Sequence, residues 1–72
     1  MHRQIQLLDV VALMGDLPDR GLLRGQVGTV VEALGQDVYE IEFSDDQGKT
    51  YASLALPADQ LLILRHRPFQ AA

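Results

Sequence analysis

The sequence has no cysteine and no tryptophan, and its 72 residues include only two tyrosines and two phenylalanines. Without cysteine, neither a disulfide framework nor a thiolate zinc site can hold the fold together. Burial has to do this alone. Ordering the chain costs about 1.5 kcal/mol per residue, so roughly 100 kcal/mol must be offset, and small domains bury a low fraction of their surface. The absence of cysteine fits a reducing compartment, and a bacterial, cytoplasmic protein is expected. Basic residues are also scarce: six Lys and Arg stand against ten Asp and Glu, for a net charge of −4. Duplex nucleic acid is bound largely through phosphate contacts, which need a basic face. Here Arg3, Arg20, Arg24, Lys49, Arg65 and Arg67 are scattered and cluster only in "RHR", which disfavours nucleic acid as a partner. No apolar run approaches a membrane span. Asp9 splits the apolar start "MHRQIQLLDVVALMGD", which makes it a poor signal peptide. No membrane association is expected.

The chemistry-bearing side chains are equally sparse. The two histidines, His2 and His66, lie in the terminal segments, whereas zinc needs three or four convergent ligands. Ser44 and Ser53 are the only serines; neither sits in a nucleophile elbow, and no internal histidine can serve either as a base. "SDDQGKT" lacks the alternating oxygen ligands and terminal Glu of a calcium loop and reads as a solvated hairpin tip. Glu32, Glu40 and Glu42 read as a solvated acidic face that would suit a basic partner. The chain is expected to be no enzyme and to hold no catalytic residue, metal or cofactor.

What is present is β-pattern. Hydrophobic residues make up 47% of the chain, enough for one compact core in one domain. Val10, Val11 and Leu13 favour a first strand. Gly15, Pro18 and Gly21 then punctuate an excursion over residues 16 to 25, long for a hairpin. "VGTVVEAL" supplies a β-branched second strand over residues 26 to 34, and Gly35 is expected to take positive φ in the turn "GQD". "VYEIEF" alternates strictly: Tyr39, Ile41 and Phe43 face one way, Glu40 and Glu42 the other. A second turn, "SDDQG", leads into "KTYASLAL". "PADQ" fits one turn of 3₁₀ helix, and "LLILR" is the last strand. The order is that of an all-β, five-stranded SH3-like small barrel, with a long first loop and a 3₁₀ turn before the last strand. The domain is expected over residues 9–65, between an N-terminal extension, 1–8, and a flexible tail, 66–72. Its core is expected to include Val11, Leu13, Val31, Ile41, Phe43 and Leu61.

Gly25-x-x-Gly28 invites comparison with a phosphate-binding loop. Such a loop needs a helix N-terminus after it, and here a Val-rich strand follows. The glycines are expected to serve a bulge or a close backbone approach.

"GDLPDRGLLRGQVGTVVEAL", "YEIEFSDDQGKTYASLAL" and "DQLLIL" resemble a family of short bacterial proteins known as domain of unknown function 4926. The resemblance runs from about Asp9 to Leu64 and implies no particular activity. More loosely, "RGQVGTVVE" and "YEIEF" are similar to the Gly-x-x-Gly-x-Val pattern of KOW-type barrels and to the SH3-like domain of the nitrile hydratase β subunit. The first likeness implies binding of RNA or protein; the second implies an accessory-subunit fold.

These readings converge on a non-catalytic protein-interaction or accessory module, antitoxin-like in its small size and acidity, with a KOW-like RNA-binding module as the alternative. Strands two and four carry apolar residues on both faces, which points to an exposed apolar patch used for a protein partner or for homo-oligomerisation. Leu22, Leu23, Val30, Leu34, Leu54 and Leu56 are the residues expected to form it.

Overall fold

The alternation of Tyr39, Ile41 and Phe43 with Glu40 and Glu42 sets which side of the sheet is buried. The computed structural model describes residues 5–68. It contains β1 (Val10–Leu13), β2 (Val27–Gly35), β3 (Val38–Ser44), β4 (Thr50–Pro57) and β5 (Leu61–Ile63), with 3₁₀ turns at Pro18–Arg20 and Ala58–Gln60. All pairings are antiparallel, in the order β4-β3-β2-β1-β5. The fold is all-β with a 3₁₀ turn before the last strand, as expected. Closure is where it departs from a full barrel: among the described residues β4 and β5 are the two edges, and the sheet is not closed. No helix among the described residues is long and apolar enough to cross a membrane.

Register aligns the buried residues in rows. Val11 pairs with Ile63 and Gly28, Gly28 with Phe43, and Phe43 with Ala52. One step along, Val30 pairs with Ile41 and Ile41 with Leu54. Tyr39 faces Leu56, and Leu13 faces Leu61. Ile5 and Leu22 join these residues in one core. Gly28 is the gap that makes the first row fit. A Cβ there would lie 2.7 Å from Ile41 Cγ2 and 3.0 Å from Phe43 Cδ2, and both of those side chains are fully buried. Gly28 therefore serves close packing, while Gly25, at φ +93°, ends the preceding loop in a left-handed conformation.

The long first loop folds inward. Leu17 and Leu22 exchange backbone hydrogen bonds, Leu17 N–H to the Leu22 carbonyl at 2.8 Å and the reverse at 3.1 Å. This small bridge closes around the 3₁₀ turn and drops the Leu22 side chain into the core.

Several expectations need correction. Val31 is 38% exposed and is not a core residue: the β2–β3 register shifts between Val30 and Glu32, and the bulge turns Val31 outward. Positive φ in the β2–β3 turn falls on Asp37, at +60°, rather than on Gly35, because Gly35 still pairs with Val38. The last strand stops at Ile63 instead of Arg65, and Pro57 ends β4 in extended conformation before the 3₁₀ turn. Residues 5–8, expected to precede the domain, pack with it: Ile5 is in the core and Leu8 N–H donates to the Val30 carbonyl at 2.7 Å. His2, Arg3, the rest of residues 1–4 and residues 69–72 of the expected tail lie outside the described residues.

The turn Gln6–Asp9 is closed by Asp9 N–H to the Gln6 carbonyl, at 3.1 Å, and by Gln6 N–H to Asp9 Oδ2, at 2.9 Å. Leu8 sits at its third position with φ +70°. Val30 N–H donates to Asp9 while its carbonyl accepts from Leu8, so two residues face one. This is a bulge whose left-handed position is normally glycine. Leu8 is 75% exposed, so its side chain gains little burial to offset the strained backbone.

Two substitutions check these assignments by thermal or denaturant unfolding. Gly28→Ala overpacks a filled site and is expected to destabilise by about 2 kcal/mol. Leu8→Gly relieves a left-handed leucine and is expected to stabilise by about 1 kcal/mol.

Candidate interaction surface

Because Val11, Leu13, Val30, Leu61 and Ile63 face the core, their neighbours in sequence face outward. Register sorts these neighbours into rows on the outer sheet face. Leu62, Ala12 and Val27 form one row. Leu64, whose N–H donates to the Val10 carbonyl at 2.9 Å, begins the next, which continues through Val10, Thr29, Glu42 and Ser53. Glu32, Glu40 and Ala55 follow. The outer face thus divides by strand. On β5, β1 and the start of β2 it is apolar, with Leu62 53% and Val27 45% exposed, and farther along β2 it turns polar at Thr29 and Glu32. On β3 and β4 it is polar and acidic.

The acidic half is structured by one side-chain bond: the Ser53 hydroxyl donates to Glu40 Oε2 at 2.6 Å. Glu32 lies directly opposite Glu40, an arrangement in which like charges repel. Asp45 is used by its own hairpin. Its Oδ1 accepts from the amides of Gln47 and Lys49, both at 2.9 Å, and its carbonyl accepts from Gly48 N–H at 3.0 Å. That carboxylate shapes a turn. Among the described residues no group of three His, Asp or Glu side chains is placed to hold a metal ion.

The two tyrosines separate. Tyr39 is buried in the core. Tyr51 lies where the register slips between Phe43–Ala52 and Ser44–Thr50, as the additional residue of a bulge. Its ring lies 6.4 Å from that of Phe43, and its hydroxyl accepts from Gln26 Nε2 at 2.9 Å. It stands at the mouth of the core.

Of the six residues expected to form an apolar patch, four are interior. Val30, Leu54 and Leu56 are buried on the core face of their strands, and Leu22 is 1% exposed under the Leu17–Leu22 bridge. Leu23 and Leu34 are exposed, one in the loop and the other at the far end of β2, so the six do not form one surface. The apolar surface that exists is carried by Val27 and Leu62, with half-buried Val10 beside them and Ala12 buried between them. The period-two pattern of the short strands carried that signal, since each of these residues flanks a core position.

A family model described as domain of unknown function (DUF4926) matches residues 7–63. The match covers more than half of the chain, and the chain belongs to that family. No curated protein and no solved structure matches it significantly.

Neighbouring leucines provide the check on this assignment. Leu22→Asp buries an unpaired carboxylate and is expected to unfold the domain, whereas Leu23→Asp is expected to change stability by no more than about 0.5 kcal/mol. Circular dichroism of the two variants reads the difference.

Proposed function

We propose that this member of the DUF4926 family is a non-catalytic protein-interaction module that docks through the outer face of β5, β1 and β2. The observation that carries the reading is the row Leu62–Ala12–Val27, in which Leu62 and Val27 stand exposed on either side of the buried Ala12. Apolar strips rimmed by polar residues mark protein contact sites. The rim has a sign: Glu42 shares a row with Val10 and Thr29, and Glu32 and Glu40 lie beyond it. A partner with an apolar patch bordered by Lys or Arg complements this surface, and the net charge of −4 favours encounter with a basic protein. An accessory or antitoxin-like role toward such a protein is consistent with these features. A non-catalytic reading is supported by how the candidate groups are engaged, with Ser53 bonded to Glu40 and Asp45 holding its turn.

Val27→Asp and Leu62→Asp test the reading. Both side chains are exposed, so each substitution is expected to cost no more than about 1 kcal/mol of stability. Affinity capture from the native host, quantified by mass spectrometry, is expected to recover a protein with wild type and to lose it with both variants. Capture unaffected by either substitution overturns the reading. So does submicromolar RNA binding that falls steeply with salt and needs Arg20, Arg24, Lys49, Arg65 or Arg67.

A further inference from the structure

Among the described residues β5 has one partner strand and one free side. Leu64 N–H donates to the Val10 carbonyl and Met14 N–H donates to the Gln60 carbonyl, both at 2.9 Å. These bonds turn the even-numbered residues of this segment toward β1. In an antiparallel ladder the odd-numbered ones then direct their backbone groups the other way. Leu61 N–H is used by the Ala58 carbonyl within the 3₁₀ turn. The Leu61 carbonyl and both backbone groups of Ile63 face outward from the sheet edge.

That edge opens onto a groove of about 820 Å³. Tyr39, Leu61, Ile63 and Ile5 contribute its apolar lining, and Pro57 also lines it. The charged residues of the groove are sorted along it. Asp59 precedes β5, and Asp37 lies beside it, since the Asp37 carbonyl accepts from Ala58 N–H at 2.8 Å. Arg65 follows β5. The groove is therefore negative at the start of β5 and positive at its end.

We infer that this groove binds an extended peptide segment of a partner protein, which adds as a sixth strand antiparallel to β5. Strand addition uses main-chain hydrogen bonds for affinity and alternate side chains for specificity. Here the open carbonyls and amide provide the first, and the pocket lined by Tyr39, Leu61 and Ile63 the second. Antiparallel addition fixes the peptide's charge order. Its N-terminal end lies at Arg65 and carries an acidic residue; its C-terminal end lies at Asp37 and Asp59 and carries a basic one. Between the 3₁₀ turn that holds Asp59 and the exposed Arg65, β5 runs extended over Leu61–Ile63, so alternating apolar residues occupy the stretch between the two charges. Leu62 of the apolar outer strip also lines the groove, but Val27 does not, so Val27→Asp leaves the site intact.

The experiment titrates the full chain against two labelled peptides, Asp-Val-Thr-Val-Thr-Val-Lys and its charge-reversed counterpart Lys-Val-Thr-Val-Thr-Val-Asp. Fluorescence anisotropy reads affinity, and amide NMR shifts read location. The first peptide is expected to bind, to shift the Ile63 amide, and to bind about tenfold more tightly than the second. Arg65→Glu alters an exposed side chain at the rim, so the fold is retained; it is expected to weaken the first peptide by about tenfold and to remove the preference between the two. Binding of neither peptide, equal binding of both to wild type, or binding without a shift at Ile63 overturns the inference. Retention of full preference by Arg65→Glu overturns the charge assignment on which the strand direction rests.

Discussion

Gly28 occupies the middle of the row Ile63–Val11–Gly28–Phe43–Ala52, and the space it leaves is taken by Phe43 and Ile41. With no cysteine and few large aromatics, the core relies on such close fits. One missing side chain lets the Phe43 ring reach the centre of the sheet, where Val11 arrives from one side and Ala52 from the other. From there the remaining geometry follows. The inward set of each strand is fixed by its pairing to this row, and the outward set becomes the face bearing Val27, Ala12 and Leu62.

The parts of this fold legible in the sequence are those where one physical signal acts alone. The alternation of Tyr39, Ile41 and Phe43 with two glutamates admits one strand and one orientation, and the structure buries those three residues. The turn at Ser44–Gly48 is readable because Asp45 can bond its own backbone, and it does so. Legibility fails where the ladder slips. Val31 has the β-branched chemistry of a core residue, yet the shift between Val30 and Glu32 places it outside. Tyr51 is displaced in the same way on β4. A bulge depends on the pairing of two distant segments, so neither segment announces it alone.

The exposed apolar strip was obscured for a related reason. Leucines attract attention as patch-formers, but Leu54 and Leu56 share the side of β4 that faces the core, and Leu22 is carried inward by a loop bridge with no repeating pattern. The exposed strip is carried by Val27 and Leu62, which flank the buried Ala12 and become neighbours only when three strands align. The sequence did show that more apolar side chains are present than one side of a small sheet can bury. Which of them are left outside is decided by register.

The strand order also bears on how the chain reaches this state. β2, β3 and β4 are consecutive hairpin neighbours, so their pairings close short loops. The pairing of Val11 with Ile63 joins positions 52 apart (63 − 11) and closes almost the whole chain. Loop-closure entropy makes that contact the most demanding one to form, while β5 brings only three residues to repay it. The meander is therefore the natural nucleus, and β5 the element whose docking and release lie closest in free energy. Slow hydrogen exchange belongs in the meander and faster exchange along β5. The edge that borders the groove is also the one the rest of the fold holds least firmly.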